Sequence, residues 1–154
     1  MAKRTLLAAN WDHIASIAPR MRRADVDEIW AAARLDPRRA LSWSFLASRE
    51  PMTGAADECP VCMFGISTAT PFDRVGHPWL LSTDEIEDHA YALLIGSRRY
   101  LAIERENYAR LENYIDVRND KALKWVKWLG FELDPPAPYG IDGFPFQRFF
   151  AGAA

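Results

Sequence analysis

The clearest pattern of apolar and polar positions lies in "VRNDKALKWVKWLGFEL", from Val117 to Leu133. Asn119 is a favoured residue just before a helix, and Gly130 supplies the left-handed residue that ends one. Between them, the apolar positions at helical spacing are Ala122, Trp125, Val126 and Leu129. The stretch therefore predicts a strand end, a capped helix and a new strand that starts at Phe131.

Two amphipathic helices are predicted earlier in the chain. Asp25 can cap the first helix, whose apolar positions are Val26, Ile29, Trp30 and Ala33. Asp36 followed by Pro37 repeats the start signal, so "RRALSWSFLAS" predicts a second helix. Ahead of both, the apolar residues of "HIASIAPRM", His13 to Met21, predict a short first strand.

The middle of the chain predicts strands on either side of one long helical region. "MTGAADECPVCMFGIS" is typical of a hairpin with its turn at "AADE", and "PWLLST" is typical of a short strand. Helix is predicted from about Asp84 to Tyr108, with a kink or split at Gly96-Ser97. "LENYIDV" then predicts a buried strand.

The end of the chain completes the order of elements. "DPPAPYGIDG" predicts a turn-rich loop, and "FPFQRFF" predicts a closing aromatic strand. The resulting order, β-α-α-β-β-β-α-β-α-β-β, indicates an α+β fold with a mixed sheet and helices on its faces. A length of 154 residues predicts one domain, residues 1–154.

Charge and hydropathy argue against several classes of partner. The net charge of -2 argues against a nucleic-acid binder, because such proteins concentrate basic residues on one surface. No apolar run approaches the about 18 residues of a membrane span. The apolar part of "MAKRTLLAAN" is shorter than the core of a secretory signal, so we expect a cytoplasmic protein that is not secreted and has no membrane partner.

The two cysteines form the sequence Cys59-Pro-Val-Cys62. A structural zinc site needs four ligands, yet the chain has no second cysteine pair, and its three histidines are scattered. A redox pair is expected at the start of a helix, whereas "CPVCMFGIS" has the composition of a strand. Two ordinary strand cysteines and no metal are therefore predicted, with a zinc or redox role as the alternative.

Several of these residues resemble the GCN5-related N-acetyltransferases (GNAT). In that superfamily the fourth helix typically has an Asn, an Ala three residues later and Leu-Gly-Phe at its end, and Asn119, Ala122 and Leu129 to Phe131 stand at those spacings. "APRMRRADVDEIW" similarly resembles the usual entry into the first helix. With the order of elements, the resemblance implies an α+β, GNAT-like (acyl-CoA N-acyltransferase) fold, a mixed central sheet flanked by helices.

A second resemblance is to small acetyltransferase-like internal virion proteins of short-tailed bacteriophages. The matching features are "PWLLST" with Trp79, the helical stretch that begins "RRYLAIERENYARL", and the "FPFQRFF" ending. They lie mostly in the second half of the chain. This resemblance implies a role in the virion or in its assembly, with other phage virion proteins as partners.

The GNAT resemblance implies acetyl-CoA as the cofactor, with its pyrophosphate at the turn after the fourth strand. Here that turn reads "STDEIEDHAY", which has neither glycine nor arginine. Its carboxylates are Asp84, Glu85, Glu87 and Asp88. Each would repel a phosphate charge by ~1 kcal/mol at about 4 Å in water, and more strongly in a partly desolvated site. The sequence therefore predicts a weakened cofactor site.

One other segment is a candidate anion site. If a helix begins at Gly96, then Ser97, Arg98 and Arg99 offer N–H groups and positive charge to a phosphate. The alternative is a helix kink followed by a solvated basic face. The resemblance adds Asn119 to the candidate cofactor-binding residues, because it stands at the superfamily's Asn position.

The catalytic residues are less clear. In many members of the superfamily a tyrosine seven residues after the Asn protonates the leaving thiolate, and this chain has Val126 there, which has no ionisable proton. Tyr114 or Tyr108 are candidate substitutes, although aromatic residues beside a sheet more often belong to the core. The candidate bases in loops near strand ends are Glu58, His77 and Asp73.

Two hypotheses of different class follow. The favoured one is a phage pseudoenzyme with a degenerate acyl-CoA site and no cofactor, which acts in virion assembly through protein–protein contacts in the host cytoplasm and the virion. The alternative is an active acetyl-CoA-dependent N-acetyltransferase with a groove where the fourth and fifth strands separate. Free N–H groups in that cleft favour the enzyme, whereas acidic side chains or Trp79 filling it favour the scaffold. The oligomeric state is left open.

Overall fold

In residues 1–152, the part of the chain that the computed structural model describes, eight strands form one mixed sheet. The strands are β1 Arg4–Ala8, β2 Met52–Ala56, β3 Cys59–Ser67, β4 Val75–Ser82, β5 Arg110–Asp116, β6 Glu132–Leu133, β7 Ala137–Tyr139 and β8 Phe144–Gly152. Their order across the sheet is β1-β2-β3-β4-β5-β8-β6, and β7 pairs with β8. All neighbouring pairs are antiparallel except β4 and β5, which are parallel.

Helices cover both faces of this sheet. They are α1 Trp11–Ile17, α2 Arg23–Ala33, α3 Pro37–Ala47, α4 Ala90–Glu104 and α5 Asp120–Trp128. Short 3₁₀ segments occupy Ala18–Arg20, Asp84–His89 and Arg105–Asn107. Within residues 1–152, no helix is long and apolar enough to cross a membrane.

The core has separate clusters around the two groups of helices. One cluster joins α1 and α3 to β3 and β4, and its members include Ile14, Ile17, Leu41, Met63 and Leu81. Another joins α4 and α5 to β5 and β8, and its members include Leu101, Leu111, Ile115, Val126 and Phe149. Burying these apolar side chains fixes the helices against the sheet.

The parallel pair β4 and β5 stays together over only two registered positions, Val75 with Arg110 and Gly76 with Leu111. Gly76 is tightly enclosed, since a Cβ there would lie 2.5 Å from the Ile66 side chain. Beyond Gly76 the two strands separate, and the sheet is left with a cleft between them. This cleft sets the position of the candidate site.

The N-terminal element prediction was wrong. His13 to Met21 does not form a strand, because Trp11–Ile17 is helix α1 and the first strand is Arg4–Ala8. Asn10 caps the helix by accepting a hydrogen bond from the His13 backbone N–H at 3.0 Å. The apolar residues of this segment follow the helical repeat and pack into the core, so tertiary burial and the cap decide the structure.

Two boundaries in the second half also differ from the predictions. The long helical region is divided between His89 and Ala90, where a 3₁₀ segment gives way to α4, and α4 continues without a break through Gly96. The loop after β6 contains the short strand β7. By contrast, α5 follows Asn119, and Gly130 has a φ of 93°, as the local pattern predicted.

Candidate active site in the cleft between β4 and β5

The β4 side of the cleft carries backbone groups that lack a neighbouring strand. Thr83 donates its N–H to the Val61 carbonyl at 2.8 Å, which places alternate residues of β4 in bonds with β3. The intervening residues, Leu80 and Ser82, therefore turn their N–H and C=O groups toward the cleft. Leu80 lies in the open part of the cleft, beyond the two positions at which β4 pairs with β5.

The narrow end of the cleft is closed by Asn113 of β5. Its side-chain N–H donates to the Pro78 carbonyl of β4 at 2.9 Å, and its Oδ1 accepts from the Tyr114 N–H at 2.9 Å. The ring Nδ1 of His77 lies 2.9 Å from the Glu112 carbonyl, so it adds a second link between the strands. These contacts fix where the separation begins.

The wide end of the cleft is spanned by α2. Asp25 accepts a hydrogen bond from the Ser82 N–H at 3.1 Å, and the Arg22 N–H donates to the Ser82 carbonyl at 2.8 Å. Glu28, one turn further along the same helix face, accepts from the Asp116 N–H of β5 at 2.8 Å. The helix thus takes over the hydrogen bonds that each strand would otherwise make with the other.

The electrostatics of this end are unusual for two carboxyls. Burial, with smaller contributions from the nearby Asp25 and Asp116 carboxyls, raises the pKa of Glu28 to about 8, against the opposing effects of the Asp116 N–H and the Asn119 side chain. Burial also raises the pKa of Asp25, against the opposing effect of Arg22 and Ser82. Glu28 is half-buried rather than sealed, so it can exchange a proton with a ligand.

A cavity of about 840 Å³ is lined by residues from both sides of the cleft. One group of lining residues comes from α4 and α5 and includes Leu94, Ser97, Ala122 and Trp125. Another comes from α2, β5, β7 and β8 and includes Glu28, Ile29, Tyr114, Tyr139 and Phe146. We call the parts of the cavity beside these two groups the helix arm and the α2 arm. Leu80 and Asn119 also line the cavity.

Two polar atoms of α5 and its cap are buried without a hydrogen-bond partner from residues 1–152. They are Oδ1 of Asn119, whose residue is 4% exposed, and Nε1 of Trp125. A buried polar atom left unpaired costs about 1–3 kcal/mol. Both residues line the cavity, so a ligand that reached these two atoms would satisfy one acceptor and one donor.

The acidic turn at the entrance to the helix arm is matched by basic residues. Glu85 pairs with Arg20 at 3.4 Å, and Glu87 forms an ion pair with Lys121 at the start of α5. The guanidinium of Arg4 donates to the His89 ring at 2.9 Å. The entrance therefore carries cations beside its carboxylates, which weakens the repulsion expected from the carboxylates alone.

Of the candidate catalytic residues, the structure brings Tyr114 to the cavity. Tyr108 borders a separate pocket of about 130 Å³, and Glu58 is exposed in the β2–β3 turn with a φ of 67°. The remaining candidate bases have structural contacts: His77 with the Glu112 carbonyl and Asp73 with Thr70. Val126 is buried in the α4–α5 core cluster.

The candidate cofactor residues fall in different places. Gly96 and Ser97 line the cavity from within α4, and the Ser97 hydroxyl donates to the Leu93 carbonyl at 2.6 Å. The Arg98 guanidinium lies 3.9 Å from the centre of the Trp128 ring, and Arg99 is exposed. Because α4 begins at Ala90, the condition for an anion site there, a helix start at Gly96, is not met.

Trp79 and Cys62 line the cavity, and the acidic side chains of Asp25 and Glu28 occupy the wide end of the cleft. The Trp79 indole donates to the Ser48 hydroxyl at 2.8 Å and packs against the α1–α3 core. Cys59 is exposed, Cys62 is buried, and both are free thiols in β3. Within residues 1–152 no group of three His, Cys, Asp or Glu side chains is arranged to hold a metal ion.

Sequence reasoning missed the role of Asp25 and Glu28. It used Asp25 only as a helix cap, although α2 begins at Arg23 and Asp25 is buried. It placed Trp30 in the buried stripe, although that side chain is 49% exposed. The available signal was two carboxyls one helical turn apart on the face next to the apolar positions.

No family model and no curated protein matches the chain, whereas solved structures match its fold. Spermidine N-acetyltransferase from Vibrio cholerae, solved with CoA and spermine, is 14% identical with a TM-score of 0.69, over 96% of this chain and 94% of that chain. Ard1 from Thermoplasma volcanium is 16% identical with a TM-score of 0.73, over 96% of each chain. A GCN5-related N-acetyltransferase from Kribbella flavida is 12% identical with a TM-score of 0.67, over 97% of this chain and 98% of that chain. The predicted α+β GNAT-like fold is confirmed.

Proposed function

We propose that this protein with the GNAT fold is an N-acyltransferase, which transfers an acyl group from an acyl-CoA thioester to an amine in the cleft between β4 and β5. The observation that carries the proposal is the Glu28 carboxyl, which lines the cavity and has a pKa of about 8. A base is most effective when its pKa is near the working pH.

The residues of the helix arm fit the acyl-pantetheine part of acetyl-CoA. When bound, that cofactor would supply an acyl group activated as a thioester. Leu80 offers a backbone N–H, and Trp125 an indole N–H, to the carbonyl groups of the ligand. Lys121 lines the cavity and is the cation that would hold the phosphates, for which it would have to leave Glu87.

The chemistry required of the chain is proton transfer. Glu28 accepts a proton from the attacking ammonium, which frees the nitrogen lone pair to form the new amide bond as the carbon–sulfur bond breaks. The sulfur leaves with a proton from the Tyr114 hydroxyl, which lines the same cavity. Val126 cannot serve there, because it has no proton to give and lies in the core.

Thermal unfolding with acetyl-CoA tests the proposal. A ligand at one hundred times its Kd stabilises the native state by ~2.7 kcal/mol, which raises the midpoint by several degrees for a chain of this size. Ala122→Phe should abolish the shift by filling the helix arm, while Lys127→Phe on the exposed face of α5 should leave it intact. An unshifted midpoint in the wild-type protein would contradict the proposal.

A second candidate is the phage scaffold, a virion-associated or assembly protein of the host cytoplasm and virion that binds other virion proteins. It is supported by the valine at position 126, where a thiolate acid is expected, and by the apolar side chains of Trp43 and Leu46 on α3, each 70% exposed. Capture of a purified virion protein that is lost on Trp43→Ser would support this role. Capture unaffected by that change would count against this surface.

A further inference from the structure

We infer that the α2 arm of the cavity binds the acyl acceptor as a primary ammonium ion with an apolar substituent, the cation between the Glu28 carboxylate and Asn119 Oδ1 and the substituent against Tyr114 and Tyr139. This inference rests on the proposed function, since it names the acceptor for the same site.

Three neighbouring carboxyls differ in their partners: those of Asp25 and Asp116 have arginine partners, whereas Glu28 has none from residues 1–152. Glu28 faces two other carboxyls, those of Asp25 and Asp116. Arg22 lies 3.7 Å from the Asp25 carboxyl, and Arg118 contacts the Asp116 carboxyl at 2.6 Å. Within residues 1–152 no lysine, arginine or histidine forms an ion pair with Glu28, so an ionised Glu28 carries the charge that a bound cation would balance.

The hydrogen bonds of Asn119 point to a donor rather than an acceptor on the ligand. The Asn119 side chain lies close enough to Glu28 to lower the pKa of that carboxyl, and Asn119 Oδ1 is buried with no donor from residues 1–152. A primary ammonium has several N–H donors, so it can serve the Glu28 carboxylate and the Asn119 oxygen together. A hydroxyl has only one hydrogen and no charge, and therefore fits this pair less well.

The rest of the α2 arm is apolar and aromatic. The Tyr114 and Tyr139 rings are stacked, with their centres 4.0 Å apart, and Phe146 lies 5.1 Å from Tyr139. Ile29 of α2 also lines the cavity. A short apolar substituent on the amine would be desolvated by these side chains, and each buried CH₂ contributes ~0.8 kcal/mol.

The aromatic wall is held firmly against α2. The Ile141 N–H donates to the Ala32 carbonyl at 3.3 Å, and Arg34 at the end of α2 pairs with Asp142. Gly140 lies so close to α2 that a Cβ there would be 2.7 Å from the Ala32 carbonyl oxygen. The β7–β8 hairpin therefore presents Tyr139 as a preformed surface.

Calorimetric titration with three probes tests the inference, in free protein and in protein saturated with CoA. The probes are 2-phenylethylamine, the isosteric alcohol 2-phenylethanol, and methylamine. We expect the amine to bind about tenfold or more tightly than the alcohol, because only the amine provides a charge-assisted hydrogen bond. Its affinity should rise with pH as Glu28 ionises.

Variants separate the two parts of the site. Glu28→Gln should reduce phenylethylamine to the affinity of the alcohol and remove the pH dependence, while Glu106→Gln, an exposed carboxyl outside the cavity, should change neither. Tyr139→Ala should weaken phenylethylamine about tenfold and leave methylamine unchanged. The amine and alcohol comparison in wild-type protein needs no variant to fold.

Equal affinities for amine and alcohol, or no binding of the amine with or without CoA, would overturn the inference. Failure of the proposed function looks different. If the amine binds but acetyl-CoA does not shift the unfolding midpoint, the result would support this site and contradict acyl transfer. A response to acetyl-CoA without any amine binding would overturn the assignment of the acceptor alone.

Discussion

Asp25 and Glu28, one turn apart on α2, bind the ends of two different strands: Asp25 accepts from Ser82 of β4 and Glu28 from Asp116 of β5. Each carboxyl replaces a hydrogen-bond partner that the separated strands cannot give each other. The opening in the sheet is therefore supported by the same helix that places an ionisable group in it. The same pair of residues therefore supports the opening and supplies its titratable carboxyl.

Asp25→Ala should destabilise the protein. It would leave the buried Ser82 N–H and the Arg22 guanidinium without their carboxyl partner, at a cost of about 1–3 kcal/mol. Urea unfolding gives the free energy. The control is Asp27→Ala on the same helix, which removes a surface pair with Arg23 and should cost about 0.5 kcal/mol or less. Equal losses in the two variants would show that Asp25 does not support the strand.

Glu28→Gln should change how stability depends on pH. The native pKa of about 8 lies above the usual value of 4.5, so between these values the folded protein holds a proton that the unfolded chain has lost. The contribution of Glu28 to the free energy of unfolding of the wild-type protein therefore falls as the pH rises from 4.5 to about 8. Glutamine does not titrate, so the variant should gain relative to wild type between about pH 5 and pH 8.

Melting midpoints at several pH values measure this difference. Glu106→Gln is the matched control, because that carboxyl is exposed and should give the wild-type profile. A Glu28→Gln difference that stays constant from acid to neutral pH would mean that folding does not raise the pKa of Glu28, and this would contradict its role as a base that titrates near neutral pH.

Gly76→Ala tests the last paired position before the strands separate. The new methyl would meet the Ile66 side chain at 2.5 Å and the Tyr108 ring at 2.9 Å, and such overpacking costs about 1–3 kcal/mol. Gly96→Ala is the opposite case, since nothing lies within 4 Å and the residue is inside α4. That variant should gain about 0.5–1 kcal/mol. Urea unfolding of both should give opposite signs, and a loss confined to Gly96→Ala would contradict this packing.

Glu87→Gln tests the entrance to the helix arm. The change frees Lys121 from its ion pair, so acetyl-CoA should bind more tightly in the variant. Acetyl-pantetheine, which has no phosphate, should bind both proteins equally. Calorimetry with the two ligands separates these effects. If both ligands gained affinity, or neither did, Lys121 would not be a phosphate contact.

The fold was predictable where the signals were local. The joint around α5 is visible in the sequence as an Asn before the helix, an apolar stripe and a left-handed residue at Gly130, although the Asn119 side chain makes no capping hydrogen bond. The segment from His13 to Met21 was misjudged because a short apolar pattern fits a strand or a helix, and the cap at Asn10 was not weighed.

The site was predictable only in part, because it depends on contacts between distant elements. Glu28 gains its high pKa from burial beside Asp116, which is distant in the sequence. Nothing local shows that β4 and β5 separate after Gly76 or that α2 crosses the gap. The carboxylates of the acidic turn are visible in the sequence, but their partners Arg20 and Lys121 come from other parts of the chain.

The most direct test is the release of free thiol from acetyl-CoA in the presence of 2-phenylethylamine, followed across pH for wild type and Glu28→Gln. We expect amine-dependent release that rises with pH toward a plateau above the Glu28 pKa of about 8, and a loss of about 10²-fold or more in the variant. No amine-dependent release at any pH, or equal rates in the two proteins, would contradict acyl transfer at this cleft.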